Sequence, residues 1–102
     1  LYNASSNRAY YAAFQAAIAA LATVGILGLE NKNHDTVQAQ FAGELIHRRK
    51  LYPGHFKSYL MDLQRVRNNA DYREMPVSSK VALHQCRKAR EFVETMVKEL
   101  LK

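Results

Sequence analysis

The chain predicts an all-α domain, an up-and-down antiparallel bundle of four helices. Three observations predict it. Apolar residues recur at spacings of three and four along most of the chain. Four glycines and two prolines are too few for a sandwich or barrel, which needs a turn about every 8–12 residues. The polar breaks between periodic stretches are short. With 102 residues, the chain is one domain, residues 1–102, with room for a single modest core.

The first helix is expected from about Ser5 to Thr23. Asn3, Ser5 and Ser6 offer N-cap oxygens. Tyr10, Phe14, Ala17 and Leu21 form its core stripe, widened by Tyr11 and Ile18. The many alanines between them let neighbouring backbones approach, so this helix is expected to be central and buried on most sides. Gly25 and Gly28 end it. Asp35 or Thr36 could cap the second helix, which carries Val37, Phe41, Leu45 and Ile46. Pro53 is placed to open the third in its first turn, with Phe56, Leu60, Leu63 and Ala70 on one face. Ser78 or Ser79 caps the last. Its expected core stripe is Ala82, Cys86, Ala89, Val93, Met96 and Leu100.

A lone cysteine, Cys86, excludes an internal disulfide framework and a cysteine-based zinc cluster. It points to a reducing, cytoplasmic setting. No apolar run reaches the roughly 18 residues of a membrane span. The formal net charge of +6 suits nucleic acid, and equally an acidic protein partner.

The third helix carries an anomaly. At about 100° per residue from Phe56, Leu60 lies near 40°, Leu63 near −20° and Ala70 near −40°. Arg67 lies near 20°, inside the apolar face, whereas Arg65 lies near 180°. A guanidinium aimed into a bundle needs partners, because an unpaired buried charge is very costly. Two readings stand. Arg67 forms a structural pair with Asp71 one turn later, or it lines a polar cleft where it meets phosphate bidentately. On the first helix, Arg8, Tyr11 and Gln15 at i, i+3 and i+7 form a polar edge. If that edge met Arg67, Asn68 and Asp71, the bundle would contain one polar seam.

"NRAYYAAFQAAIAAL", followed much later by "RNNADY", resembles the HEPN family, helical domains linked with nucleotides and with minimal nucleotidyltransferases. Arg8, Ala9, Tyr10, Tyr11, Ala12 and Phe14 match the family's first block. Lys32 and His34 match its Lys-x-His, Phe41 the helix after it, and Arg67, Ala70, Asp71 and Tyr72 its last block. The resemblance implies a further helix ahead of Leu1, hence an N-terminally truncated bundle. It also implies a homodimer and an arginine that lines the functional cleft. Ribonuclease members carry a histidine four to six residues after that arginine. The fifth position after Arg67 is here Tyr72, and a tyrosine with its ordinary pKa near 10 is a poor base. Gln15 stands where many relatives have histidine, and it cannot titrate.

The other polar residues read more plainly. His34, at a helix start, suits capping or loop-fixing better than catalysis. His47 belongs to a basic run, His55 to a first helical turn, and His84 to a wet face. Their spacing matches no metal site, so no metal and no cofactor are expected. Arg48, Arg49 and Lys50, with Lys80, Arg87, Lys88 and Arg90, either solvate helices or track phosphate. The chain is therefore expected to be a non-catalytic module that binds nucleotide or RNA phosphate, a small nucleotidyltransferase, or both. The alternatives are an RNA-cleaving toxin of a toxin–antitoxin pair, using Arg67 with Tyr72 or a histidine from elsewhere, and an interaction domain with no nucleotide site.

Overall fold

A computed structural model describes residues 2–72 and 78–102, with side chains over 4–68 and 78–102. Four helices account for most of them: α1 (Tyr2–Ala22), α2 (His34–Gln40), α3 (His55–Tyr72) and α4 (Ser79–Leu100). A 3-10 turn, Leu29–Asn31, lies between α1 and α2. A π-helical segment, Phe41–Arg48, prolongs α2. The described residues contain no strand, as the scarcity of turn residues predicts.

The helix ends follow local chemistry. α1 stops in a left-handed glycine cap. Gly25 has φ +90°, and the Ile26 N–H donates to the Leu21 carbonyl at 3.0 Å. The π-helical segment stops in a similar way at Lys50, whose φ is +54°. There the Leu51 N–H reaches back to the Leu45 carbonyl at 2.9 Å. Ser78 caps α4 by accepting from the Val81 N–H at 3.2 Å. α2 is capped by Asn33, which accepts from the Thr36 N–H at 2.8 Å, and not by Asp35 or Thr36. α1 begins at Tyr2, so Ser5 and Ser6 stand inside the helix rather than capping it. Pro53 precedes α3, which starts at His55.

α1 packs most extensively on α4 and then on α3. Its alanines make this possible: Ala9, Ala13, Ala17 and Ala20 are all buried. Tyr10, Phe14 and Leu21 supply the bulk of its core face. α1 is nonetheless less enclosed than its composition suggests, since Ala12, Ala19 and Ala22 face solvent beside Arg8, Tyr11 and Gln15.

α2 and α3 deliver the expected faces, with Val37, Phe41, Leu45, Ile46, Phe56, Leu60 and Leu63 buried. Ala70 lies outside the described side chains. α4 is rotated from the expected stripe. Its buried residues are Ala82, Gln85, Ala89, Phe92 and Met96, while Cys86 and Leu100 are exposed and Val93 is half-buried. The reason is Phe92. Its ring meets Phe41 at 5.3 Å and Phe56 at 5.1 Å between centroids. Burying that ring removes far more apolar surface than burying Val93 or Cys86 would. Tyr52 stacks on both Phe41 and Phe56. Tyr52 and Phe56 are therefore core residues and no stacking platform.

A candidate phosphate pocket between three helices

Where α1, the start of α2 and the second half of α3 converge, polar side chains enter the core's edge. Tyr10 is fully buried, and its hydroxyl meets His34 Nδ1 at 2.5 Å. The imidazole lies against the rings of Tyr10 and Phe14, with centroids 5.2 and 4.6 Å away. Gln64 approaches the same nitrogen with its amide at 3.4 Å and accepts a hydrogen bond from the Gln38 amide. Both groups that reach Nδ1 are donors. That arrangement places the imidazole proton on Nε2.

Arg67 enters this cluster from α3. Its Nε donates to Asn7 Oδ1 at 2.9 Å. Its guanidinium carbon stands 5.8 Å from the centroids of both the Tyr10 and Tyr11 rings. The inward placement read from helical periodicity is thus realised. Its partners among the described side chains include an amide and two aromatic faces. The pair with Asp71 lies outside the described side chains, as does Tyr72.

These groups line an open polar pocket of about 410 Å³ bounded by Asn33, His34, Asp35, Gln64, Arg67 and Asn68. Its electrostatics are self-consistent. Burial, and then the nearby Arg67 charge, lower the His34 pKa from its ordinary 6.5, against a smaller upward pull from Asp35. Burial pushes the Tyr10 hydroxyl up to about 12, outweighing the Gln38 hydrogen bond and the Arg67 charge. Tyr10 is therefore a protonated donor, and His34 is held in its neutral form. The pocket offers a guanidinium, an imidazole N–H and several amides. Such a donor set binds an anion. It is poorly built for proton abstraction, because hydroxyl and amide donors occupy the one basic lone pair of His34.

Of the expected seam, the structure brings together Tyr11, Arg67 and Asn68 and sets Arg8 and Gln15 apart, while Asp71 lies outside the described side chains. Arg8 lies on the other side of α1, in a groove with Cys86, Ala89, Arg90 and Val93. Gln15 is exposed. Sequence reasoning passed over Asn7, Tyr10, Gln38 and Gln64 as polar partners, because each contact spans at least 24 residues of chain. The spacing of Lys32 and His34 was the one available signal for His34. Among the described residues no group of His, Cys, Asp or Glu is arranged to hold a metal, and no helix is long and apolar enough to cross a membrane.

No curated protein and no solved structure matches the chain. The family model for the HEPN domain matches residues 1–100, which takes in all four helices and every residue of the pocket. The chain belongs to the HEPN domain family.

Proposed function

We propose that this HEPN domain is a non-catalytic module that binds the phosphate of a nucleotide or RNA in the pocket between α1, α2 and α3. The observation that carries the reading is Arg67, held against aromatic faces and an amide beside a neutral His34. Arg67 supplies charge and His34 an Nε2–H donor. Asn33 and Asn68 stand at the rim to complete the recognition. The net charge of +6 supports a long-range pull on polyanions.

The module acts as a homodimer in the cytoplasm, with a small nucleotidyltransferase as its partner. The groove between α1 and α4 supports dimerisation. Ala12, Cys86 and Val93 line it, and Val97 and Leu100, 45% and 44% exposed, lie further along α4. That is much uncovered apolar surface for a chain of this size.

The competing reading is an RNA-cleaving toxin that pairs Arg67 with His34 in place of a histidine after Arg67. The arrangement across one pocket favours it, and the occupied Nδ1 disfavours it. Fluorescence anisotropy with a labelled single-stranded RNA, alongside a cleavage gel on the same mixture, separates the two. The expected outcome is binding that falls steeply with added salt and falls again in Arg67→Met, with the RNA intact. Cleavage that disappears in His34→Ala would overturn the non-catalytic reading. Binding indifferent to Arg67 would overturn the pocket.

A further inference from the structure

A second basic depression lies between α3 and the first half of α4, on the face of α3 that carries Arg65. It encloses about 640 Å³. Its floor is an internally satisfied cluster. Asp62 accepts from Lys88 Nζ at 2.6 Å and from Gln85 Nε2 at 3.1 Å, and it pairs with Arg65. The one carboxylate that lines the groove among the described residues is thus engaged by its own neighbours. Gln85 is 2% exposed, and its Oε1 has no hydrogen-bond partner among the described residues. The floor therefore keeps one acceptor in need of a donor.

The rim differs from the floor. Lys80 and Arg87 line the groove, and neither has a carboxylate within ion-pair distance among the described residues. They lie seven residues apart on one face of α4, so they are spaced by two turns, about 10 Å. Beside them, Val81 is 40% and Leu83 53% exposed. Among the described residues the lining contains no tyrosine or phenylalanine on which a base could stack. Aliphatic anchors beside unpaired cations fit an amphipathic acidic helix better than a nucleic-acid strand. A second copy of this chain is a poor occupant, since it carries nine acidic residues against fifteen basic ones.

We propose that the α3/α4 groove is a docking site for an acidic amphipathic helical segment of a partner protein. Two carboxylates one heptad apart meet Lys80 and Arg87, and aliphatic side chains beside them pack on Leu83, with Val81 on the opposite flank of α4. This site is separate from the Arg67 pocket and does not depend on phosphate binding there.

The test uses the 102-residue chain and a fluorescent designed helix of about five turns, with glutamates at heptad spacing and leucines on one face. Its controls are a scrambled peptide of the same composition and a uridine oligonucleotide of similar charge. Anisotropy is expected to show binding of the designed peptide, weakened at least about tenfold by Lys80→Glu with Arg87→Glu and several-fold by Leu83→Ser. Arg67→Met leaves it unchanged. These positions are exposed, and matching circular dichroism melts confirm that the variants fold. Equal binding of the scrambled peptide, no binding of the designed one, or indifference to Leu83→Ser overturns the proposal. Oligonucleotide binding that the charge reversal abolishes, with no response from the peptide, reassigns the groove to nucleic acid.

Discussion

Arg65 and Arg67 are two residues apart on α3 and solve the problem of carrying a charge in opposite ways. Arg65 is exposed and spends its charge on Asp62, alongside Lys88. Arg67 is half-buried and leans on Asn7 and the faces of Tyr10 and Tyr11. Arg65 and Asp62 lie one turn apart on the same helix, and it is Lys88 and Gln85 of α4 that tie Asp62 across to the neighbouring helix. Arg67 stands beside His34, whose pKa is lowered first by burial and then by the Arg67 charge. One helix therefore presents an exposed arginine on one face and a half-buried one on the other, with about 200° of rotation deciding which is which.

The largest effect should come from the structural side. Asp62→Ala strips Lys88, Arg65 and the buried Gln85 amide of their shared acceptor. Unfolding in urea should show a loss of roughly 2 kcal/mol. A loss below about 0.5 kcal/mol would mean that the cluster is mere surface decoration. Tyr10→Phe comes next. It removes one buried hydroxyl, costs about 1 kcal/mol, and frees Nδ1 of His34 to take a proton. The His34 pKa, followed by NMR, should rise. A fixed pKa would show that the hydroxyl does not hold the tautomer.

If Arg67 serves the pocket, Arg67→Met, which keeps the packing of the stem, should cost about 1 kcal/mol or less. Phosphate binding should fall about tenfold. The His34 pKa should rise here as well, because the neighbouring cation has gone. A stability loss of several kcal/mol, with binding per folded molecule unaltered, would make Arg67 a structural residue and remove it from the site.

The smallest effect is in the pH dependence of stability, and it separates the two regions in one titration. His34 has a folded pKa below its unfolded value, so the unfolded chain takes up the proton first. Stability should begin to decline as pH falls below about 6.5. Asp62 is pushed up by burial, but the stronger combined pull of Lys88, Arg65 and Gln85 holds it down to about 2. Its contribution is present above the ordinary carboxylate range and is lost as pH falls from there through about 2. Arg67→Met should flatten the first decline and leave the second in place.

The parts of the bundle readable in advance are those where one helix carries its own answer. Tyr10, Phe14, Ala17 and Leu21 recur at core spacing, and they are buried. Arg67 falls among Phe56, Leu60 and Leu63 on a helical wheel, and it points inward. α4 shows why such reading stops. Cys86 with Val93, and Gln85 with Phe92, both repeat every seven residues, so periodicity cannot choose between the stripes. The choice rests with the rings of Phe41 and Phe56 on other helices. The pocket is harder still. Tyr10 and His34 meet across a turn and a loop, and nothing local to either residue announces the contact. Arg8 looked like a neighbour of Arg67 because helical spacing says which residues share an edge, but not what that edge faces.

The π-helical stretch Phe41–Arg48 has a consequence of another kind. Its wider turn, seen in the Arg49 N–H donating to the Glu44 carbonyl at 3.1 Å, takes up more residues per turn than an α-helix does. In effect α2 carries a surplus residue absorbed into its coil. Deleting Gly43, which faces open space, offers a route back to ordinary α-helical winding without breaking the helix. Because the wide turn already absorbs the surplus, the residues after it, buried Leu45 and Ile46 among them, would keep the faces they have. A single-codon loss at this point would thus leave the core and the basic run His47–Arg48–Arg49 aimed as before, so this stretch is where the gene can most cheaply change the length of the chain without changing which way the domain presents its charge.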